Sequence, residues 1–296
     1  MPPITRVGVV AKSRLQAATP SLVDVERWLA AHGVDAVFET ATAALMPANA
    51  KRNVADKQSL VNGVGMVLVL GGDGTLLSMA DCIGRAGLNV PILGVNFGSL
   101  GFLTEVTLPE LYPALEAALA GNTHIEERLT LHATITRSSG APSSDIAVND
   151  VVINKGARSR LIDLSISVGD SLVTTVRADG LIIATPTGST AYNLAAGGPI
   201  VQPNVDAIVL TPIAPHTLTN RPIVIPSSSS VRVKPMIDER AGDDEVFVTF
   251  DGQAGSELRA GDEISVCRAR EPMRLIRPAT RSYFEVLREK LNWGKR

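Results

Sequence analysis

Met66-Val67-Leu68-Val69-Leu70-Gly71-Gly72-Asp73-Gly74-Thr75 is the stretch on which the fold turns. An unbroken apolar run stopped by glycine predicts a strand buried on both faces, as in a parallel sheet. Open α/β sheets receive their ligands at the carboxyl ends of such strands. Gly71, Gly72 and Gly74 let backbone N–H groups crowd a phosphate where side chains would block it, with Thr75 beside them. Asp73 is the odd member. A carboxylate among phosphates is unfavourable unless it accepts a proton or holds a metal; the plainer reading makes it the cap of a helix starting at Thr75.

Working outward, strand and helix patterns alternate as far as residue 125. Strands are predicted at 6–10, 34–38, 65–70 and 90–95. Ser21 is placed to cap a helix that presents Leu22, Val25, Trp28 and Leu29 on one face and ends at Gly33. Further helices are predicted over 75–87 and, after Pro109, over 110–120. This alternation means βαβ units and a Rossmann-like parallel sheet. From 126 to 276 the pattern changes to strands and turns, as in Leu129, Leu131, Ala133 and Ile135, which alternate with polar residues. Gly169-Asp170 turns one strand into the next, and Ser227 to Ser230 reads as a hairpin tip. Residues 277–296 regain a helical pattern and are expected to pack back on the first domain. The expected architecture is therefore an α/β domain (1–125), an all-β domain (126–276) and a returning C-terminal segment, with a cleft between the domains.

The formal charge of −2 argues against a general nucleic-acid or anionic-membrane surface. No apolar stretch approaches the roughly 20 residues of a membrane span. Cys82 and Cys267 lie far apart, as reduced thiols of a cytosol-like compartment do. The opening residues lead straight into a strand, and a cytoplasmic location is expected. His32, His124, His132 and His216 have no metal-ligand spacing. There is no Gly-x4-Gly-Lys-Ser/Thr loop, no third glycine of a dinucleotide fingerprint, no Gly-x-Ser-x-Gly elbow and no protein-kinase signature.

A second loop, Asp179-Gly180-Leu181-Ile182-Ile183-Ala184-Thr185-Pro186-Thr187-Gly188-Ser189-Thr190-Ala191-Tyr192, packs four hydroxyls into six positions. A helix beginning at Ser189 or Thr190 would aim free N–H groups at an anion; the bland alternative is a hydroxyl-rich loop that merely caps that helix. Two such loops suggest a ligand with more than one phosphate. Asn149-Asp150, at the entry to Val151-Val152-Ile153, suits a base edge or ribose hydroxyls, or equally a turn.

These pieces together resemble the NAD kinase family. The match comprises Gly71 to Thr75, Asn96-x-Gly98-x-Leu100-Gly101-Phe102-Leu103, Asn149-Asp150, Asp179 to Tyr192, Ala196-Gly197-Gly198-Pro199, Pro215-His216 and Asp251-Gly252-Gln253. The GGDG element alone also occurs in diacylglycerol, sphingosine and phosphofructokinases; the Thr-Pro-Thr-Gly-Ser-Thr-Ala-Tyr loop is specific. The resemblance implies transfer of the terminal phosphoryl group of ATP to the 2′-hydroxyl of the adenosine ribose of NAD, giving NADP. It also implies a divalent metal such as magnesium, with ligands unassigned, and a homodimer or homotetramer. Carried over by position, Asp73 is the base, with Gly74 beside it. Asn149, Asp150, Arg160, Arg177, Asp179, Thr190, Ala191, Tyr192, Asn193, Leu194, Ala195 and Gln253 contact NAD. Gly71, Gly72, Gly74, Thr75, Thr187, Gly188 and Ser189 bind phosphate. The family usually carries Asn-Glu where this chain has Asn149-Asp150, so the carboxylate reaches one methylene less far. A lipid or sugar kinase of the same loop superfamily, and a non-catalytic NAD(P) sensor, are the competing readings.

Overall fold

The computed structural model describes residues 3–98, 100–156, 161–237, 245–253, 255–277 and 281–294. The chain forms two compact units, one of residues up to Glu127 together with those from Met273 onward, the other Arg128–Pro272.

The first unit is built on a mostly parallel sheet. Its strands lie in the order Asn53–Ala55, Asp35–Glu39, Arg6–Ala11, Met66–Gly71, Ile92–Asn96, Met273–Arg277 and His124–Arg128, with the short Val106–Thr107 also paired to Ile92–Asn96. Every residue of Met66–Gly71 is buried, because helices cover both faces of a strand whose neighbours run parallel on either side. After Arg6–Ala11 the chain builds outward on one side, then crosses back to Met66–Gly71 on the other. The two strands are in register from Val7↔Met66 to Ala11↔Leu70. Their carboxyl ends therefore form the switch point where such sheets hold ligands.

Helix Thr19–Ala31 begins two residues before Ser21, with Pro20 in its first turn, so Ser21 is not its cap. Proline lacks the N–H that an early helical position leaves unpaired, which lets the helix start there. Leu22, Val25 and Leu29 are buried as their spacing requires, and Gly33 closes the helix at φ +68°. Met273–Arg277, of which the sequence pattern leaves residues 273–276 in the second domain, is a strand of the first sheet beside Ile92–Asn96. The helix Tyr283–Lys290 follows it within the same unit, started by a reciprocal Ser282/Glu285 capping box.

The second unit is two antiparallel six-stranded sheets. Leu131, Ala133 and Ile135 from one sheet join Val151, Ile153, Leu181 and Ile183 from the other in a single core. The opposite faces of the last two strands are covered as well: Val152, Ile182, Ala184 and Val209 pack with Ala196 and Val201. Double coverage is why Val151-Val152-Ile153 and Leu181-Ile182-Ile183 are continuously apolar in an antiparallel sheet. Ser227 to Ser230 is a turn, but Ile223–Pro226 pairs with Ala207–Ile213 while Val231–Met236 lies in the other sheet. That segment joins two sheets and is not a hairpin tip.

Candidate active site

Asp73 does not cap the helix that follows it. That helix starts at Asp73 itself, with Gly72 as the N-cap and no capping side chain. The carboxylate turns instead toward the loop after Ile92–Asn96. Its Oδ1 accepts from the N–H of Leu103 at 3.1 Å, the N–H of Thr104 at 3.0 Å and the Thr104 hydroxyl at 2.9 Å. Its Oδ2 accepts from the N–H of Phe102 at 2.8 Å. Asn96 donates to Thr104 Oγ1 at 3.1 Å and accepts from the N–H of Gly98 at 2.5 Å, which extends the network to the strand end. A Cβ at Gly101 would collide with Asp73 Oδ1 and Thr104 Oγ1. Glycine is needed there for close approach, not for an unusual φ.

Around the same turn is a hollow of about 370 Å³ lined by Lys12, Ser13, Lys57, Gly72, Gly74 and Thr75 among others. It opens at the switch point between Arg6–Ala11 and Met66–Gly71. Lys12 is exposed, and Lys57 Nζ donates to Ser78 Oγ at 2.9 Å. The two lysines were missed in the sequence, because only the fold brings residues 12 and 57 to the glycine turn.

In the second unit a carboxylate again organises a corner. Asp251 Oδ1 accepts from the N–H groups of Asn149 at 2.7 Å and Asp150 at 3.1 Å, and Oδ2 from that of Val148 at 2.9 Å. Asp251 adopts φ +50° to do so. Asn149 C=O in turn accepts from the N–H of Thr185 at 2.9 Å, and a Cβ on Gly188 would strike that carbonyl. Asp150 is buried, and no donor among the described residues reaches its carboxyl. Burial, aided by the neighbouring Asp251 charge, raises its pKa from the usual 3.8 to about 7.

The hydroxyl-rich loop differs from its sequence reading. Gly188–Thr190 is a single 3-10 turn, and the following helix, Tyr192–Ala195, has one turn. Two of its amides are spent internally: Gly188 N–H donates to Thr185 Oγ1 at 3.0 Å and Ser189 N–H to Pro186 C=O at 3.2 Å. The Ser189 hydroxyl, fully buried, donates to Pro186 C=O at 2.6 Å and accepts from Val201 N–H at 3.0 Å. Asn193 is buried too, donating to Ser189 and Pro199 carbonyls and accepting from Thr211 Oγ1. These side chains are struts of the loop, and the helix expected to begin at Ser189 or Thr190 begins at Tyr192. Thr187 is reached by the buried Arg128 at 3.4 Å. Tyr192 and Gln253 are exposed, as is Arg177, and Asp179 pairs with Lys155 at 3.5 Å. Thr190, Leu194 and Ala191 lie along the same loop. Arg160 lies outside the described residues. Among the described residues no group of three or more His, Cys, Asp or Glu side chains is arranged to hold a metal.

A glycine turn at a parallel-sheet switch point, two lysines over it and an immobilised carboxylate beside it define a phosphotransferase-type α/β unit, here carried in one chain with a β-sandwich. The comparisons give the family. The model of the ATP-NAD kinase N-terminal domain matches residues 7–123, and that of the ATP-NAD kinase C-terminal domain matches 148–278. The chain is 46% identical to an NAD kinase of Geobacter sulfurreducens over 299 aligned positions, covering 98% of this chain and 99% of that protein. It is 53% identical to an NAD kinase of Geobacter metallireducens over 231 positions, 78% and 80% of the two chains. The structure of yeast NADH kinase complexed with NADH superposes with a TM-score of 0.89 at 27% identity, covering 99% of this chain and 89% of that one. The chain belongs to the NAD kinase family and is an enzyme of that class, which sets aside the lipid-kinase, sugar-kinase and sensor readings.

Two outcomes follow from this geometry. Gly101→Ala drives a methyl group into the Asp73–Thr104 contact, and displacement on the order of 1 Å is worth about 10²-fold in turnover. Steady-state rates and circular dichroism on the same sample separate that loss from unfolding. For Asp150, the native state holds a proton that the unfolded chain releases as pH rises above about 4, so its contribution to stability declines up to about pH 7. Asp150→Asn therefore gains on the native chain between pH 4 and pH 8, by at most about 4 kcal/mol. Urea titrations of both proteins across that range measure the difference.

Proposed function

We propose that this chain transfers the terminal phosphoryl group of ATP to the 2′-hydroxyl of the adenosine ribose of NAD, forming NADP. The observation that carries the reading is Asp73: Oδ1 is filled by three donors, whereas Oδ2 takes one and keeps a lone pair for another. A carboxylate fixed in this way accepts the 2′-hydroxyl proton as O2′ bonds to the γ-phosphorus and the bridging bond to ADP breaks. Phosphoryl transfer asks little covalent chemistry of a protein beyond such positioning and charge neutralisation.

The hollow beside the turn suits the triphosphate. Lys12 and Lys57 supply two positive charges there, and the amides of the glycine turn supply donors, with Gly71, Gly72, Gly74 and Thr75 as the phosphate-binding set. A divalent metal such as magnesium, bound with the triphosphate, would offset charge on its oxygens. Glu39 lines the hollow and Asp73 stands at the adjoining turn, so carboxylates are at hand to hold it, and the chain's own residues offer no wider ligand set among those described. NAD recognition is assigned to the second unit, through Asn149, Asp150, Arg160, Arg177, Asp179, Gln253 and the segment Thr190 to Ala195, with the Thr187–Gly188–Ser189 turn supporting it. At neutral pH Asp150 is poised between acid and carboxylate, so it offers a ribose hydroxyl either a donor or an acceptor. The same reading includes a homodimer or homotetramer in the cytoplasm. The sandwich edge strands Ser171–Ala178 and Ile223–Pro226 support assembly, since Leu172, Ile223 and Val224 stand exposed on them.

The direct test incubates the protein with NAD, ATP and magnesium and follows NADP; no NADP at any donor concentration ends the proposal. Asp73→Asn is expected to lower turnover by about 10²–10⁴-fold while NAD still binds. Recovery of that variant by excess magnesium would move Asp73 from base to metal ligand. Lys12→Ala and Lys57→Ala are expected to raise KM for ATP about tenfold or more, with KM for NAD little changed, since a charge-assisted contact is worth about 1.5–3 kcal/mol. Equal shifts in both constants would put the triphosphate elsewhere.

A further inference from the structure

The segment holding Asp73, residues 100–105, has no secondary structure of its own. It leaves the end of one strand at Asn96 and rejoins its edge at Val106–Thr107. On one side it is held by the contacts of Phe102, Leu103 and Thr104 to Asp73. On the other it is held by residues from the far end of the chain. Glu105 is 3% exposed along its side chain and accepts from Arg277 Nε at 3.0 Å and Nη2 at 2.5 Å. Arg277 is itself nearly buried and also donates from Nη1 to Glu126 at 2.7 Å. Arg281 Nη1 donates to the backbone C=O of Glu105 at 2.9 Å, and Lys290 Nζ lies 5.6 Å above the Phe102 ring. Four residues of the 100–105 loop are thus pinned between Asp73 and the strand and helix that follow Met273.

We propose that Arg277 is a positioning residue for phosphoryl transfer: its ion pair with Glu105 sets the loop whose amides orient the Asp73 carboxylate. The proposal rests on the role given to Asp73 above. Thr104 and Glu105 are adjacent, so a displacement of the Glu105 backbone is passed directly to two of the four donors on Asp73. A guanidinium fits this task better than an ammonium. It engages Glu105 through two nitrogens and Glu126 through a third, fixing direction as well as distance. Removing it takes from the buried Glu105 and the half-buried Glu126 the cation they share, and the rearrangement that follows shifts residue 105.

The test compares Arg277→Met, Arg277→Lys, Glu105→Gln and the Glu105→Gln/Arg277→Met double variant with the native enzyme, in rate and in amide exchange. Expected for Arg277→Met is a fall in kcat of at least about tenfold with KM for NAD within about threefold, the pattern of a lost transition-state contact. Arg277→Lys keeps the charge but not the fork, and falls between. Should Arg277→Met not fold, Arg277→Lys and Glu105→Gln carry the same comparison. In exchange experiments the Leu103 and Thr104 amides lose protection about tenfold while those of Met66–Gly71 do not, a local opening separate from global unfolding. The double variant loses less than the product of the single losses, because both act through one contact. A folded Arg277→Met enzyme with native kcat, or with native protection at Leu103 and Thr104, overturns the proposal. So does a lowered melting temperature with no change in kcat, which is the mark of a purely structural ion pair. A native enzyme that makes no NADP would instead overturn the assignment of the reaction, and the exchange measurement would still report on the loop.

Discussion

Four hydrogen bonds converge on the carboxylate of Asp73, and much of the first unit's candidate site depends on them. Each bond from a backbone amide to a carboxylate is worth about 1.5–3 kcal/mol net, whereas ordering a loop residue costs about 1–2 kcal/mol. The terms are of similar size, so acid and loop order one another and neither is fixed alone. This explains local choices that composition leaves arbitrary. Gly101 is glycine because a Cβ would occupy the carboxylate's place. Thr104 supplies two donors from one residue, and Asn96 fixes the rotamer of its hydroxyl by donating to it. The helix starts at Asp73 behind Gly72 as N-cap, with no capping side chain, and its first acid is engaged elsewhere.

The second unit repeats the device with different consequences. Asp251 gathers three amides from residues 148–150 and so fixes the entry to the strand Asp150–Lys155. The clasp brings a second acid, Asp150, into an apolar setting beside a charge of its own sign. Its raised pKa is the electrostatic cost of that arrangement. Where Asp73 is an acid surrounded by donors, Asp150 is an acid surrounded by little that favours its charge. The same residue type thus offers a fixed acceptor in one unit and a titratable group near neutrality in the other.

What the sequence displays are features decided by near neighbours. Met66 to Leu70 announces a buried strand, and Leu22, Val25 and Leu29 announce a helix face, because periodicity is local. The Gly169-Asp170 hairpin is legible for the same reason: Gly169 adopts φ +56°, and the strands on either side pair antiparallel. The partners of Asp73 lie about 30 residues downstream and those of Asp251 about 100 upstream, so no local pattern records them. The hydroxyl-rich loop has a second use that its sequence does not display. Thr185, Ser189 and Asn193 look like ligand-binding groups, yet most of their hydrogen-bonding capacity satisfies buried carbonyls and amides of the loop itself. Nothing local in Met273–Arg277 names the strand it pairs with, and only the topology reveals that the chain re-enters its first sheet.

Rigidity and mobility are divided unequally over the glycine turn, and the division suits the chemistry assigned to it. In the role proposed for it Asp73 takes a proton from a hydroxyl that must be closely positioned, and it is held by backbone groups that reorganise little. Preorganised dipoles of that kind are effective because their orientation was set during folding and not during the reaction. On the same proposal Lys12 and Lys57 meet a flexible triphosphate; they sit on long side chains, one exposed and the other tied by a single hydroxyl contact. Their loss should act on the binding of a charged substrate, and disturbance of the Asp73 cradle on the step that follows. The buried Arg277–Glu105 pair belongs with the rigid group, although it touches neither the hollow's lysines nor Asp73 directly. A cluster of buried charges costs desolvation, and an apolar replacement of equal volume often packs as well. What apolar side chains would not supply is direction, and direction is what a loop without secondary structure lacks.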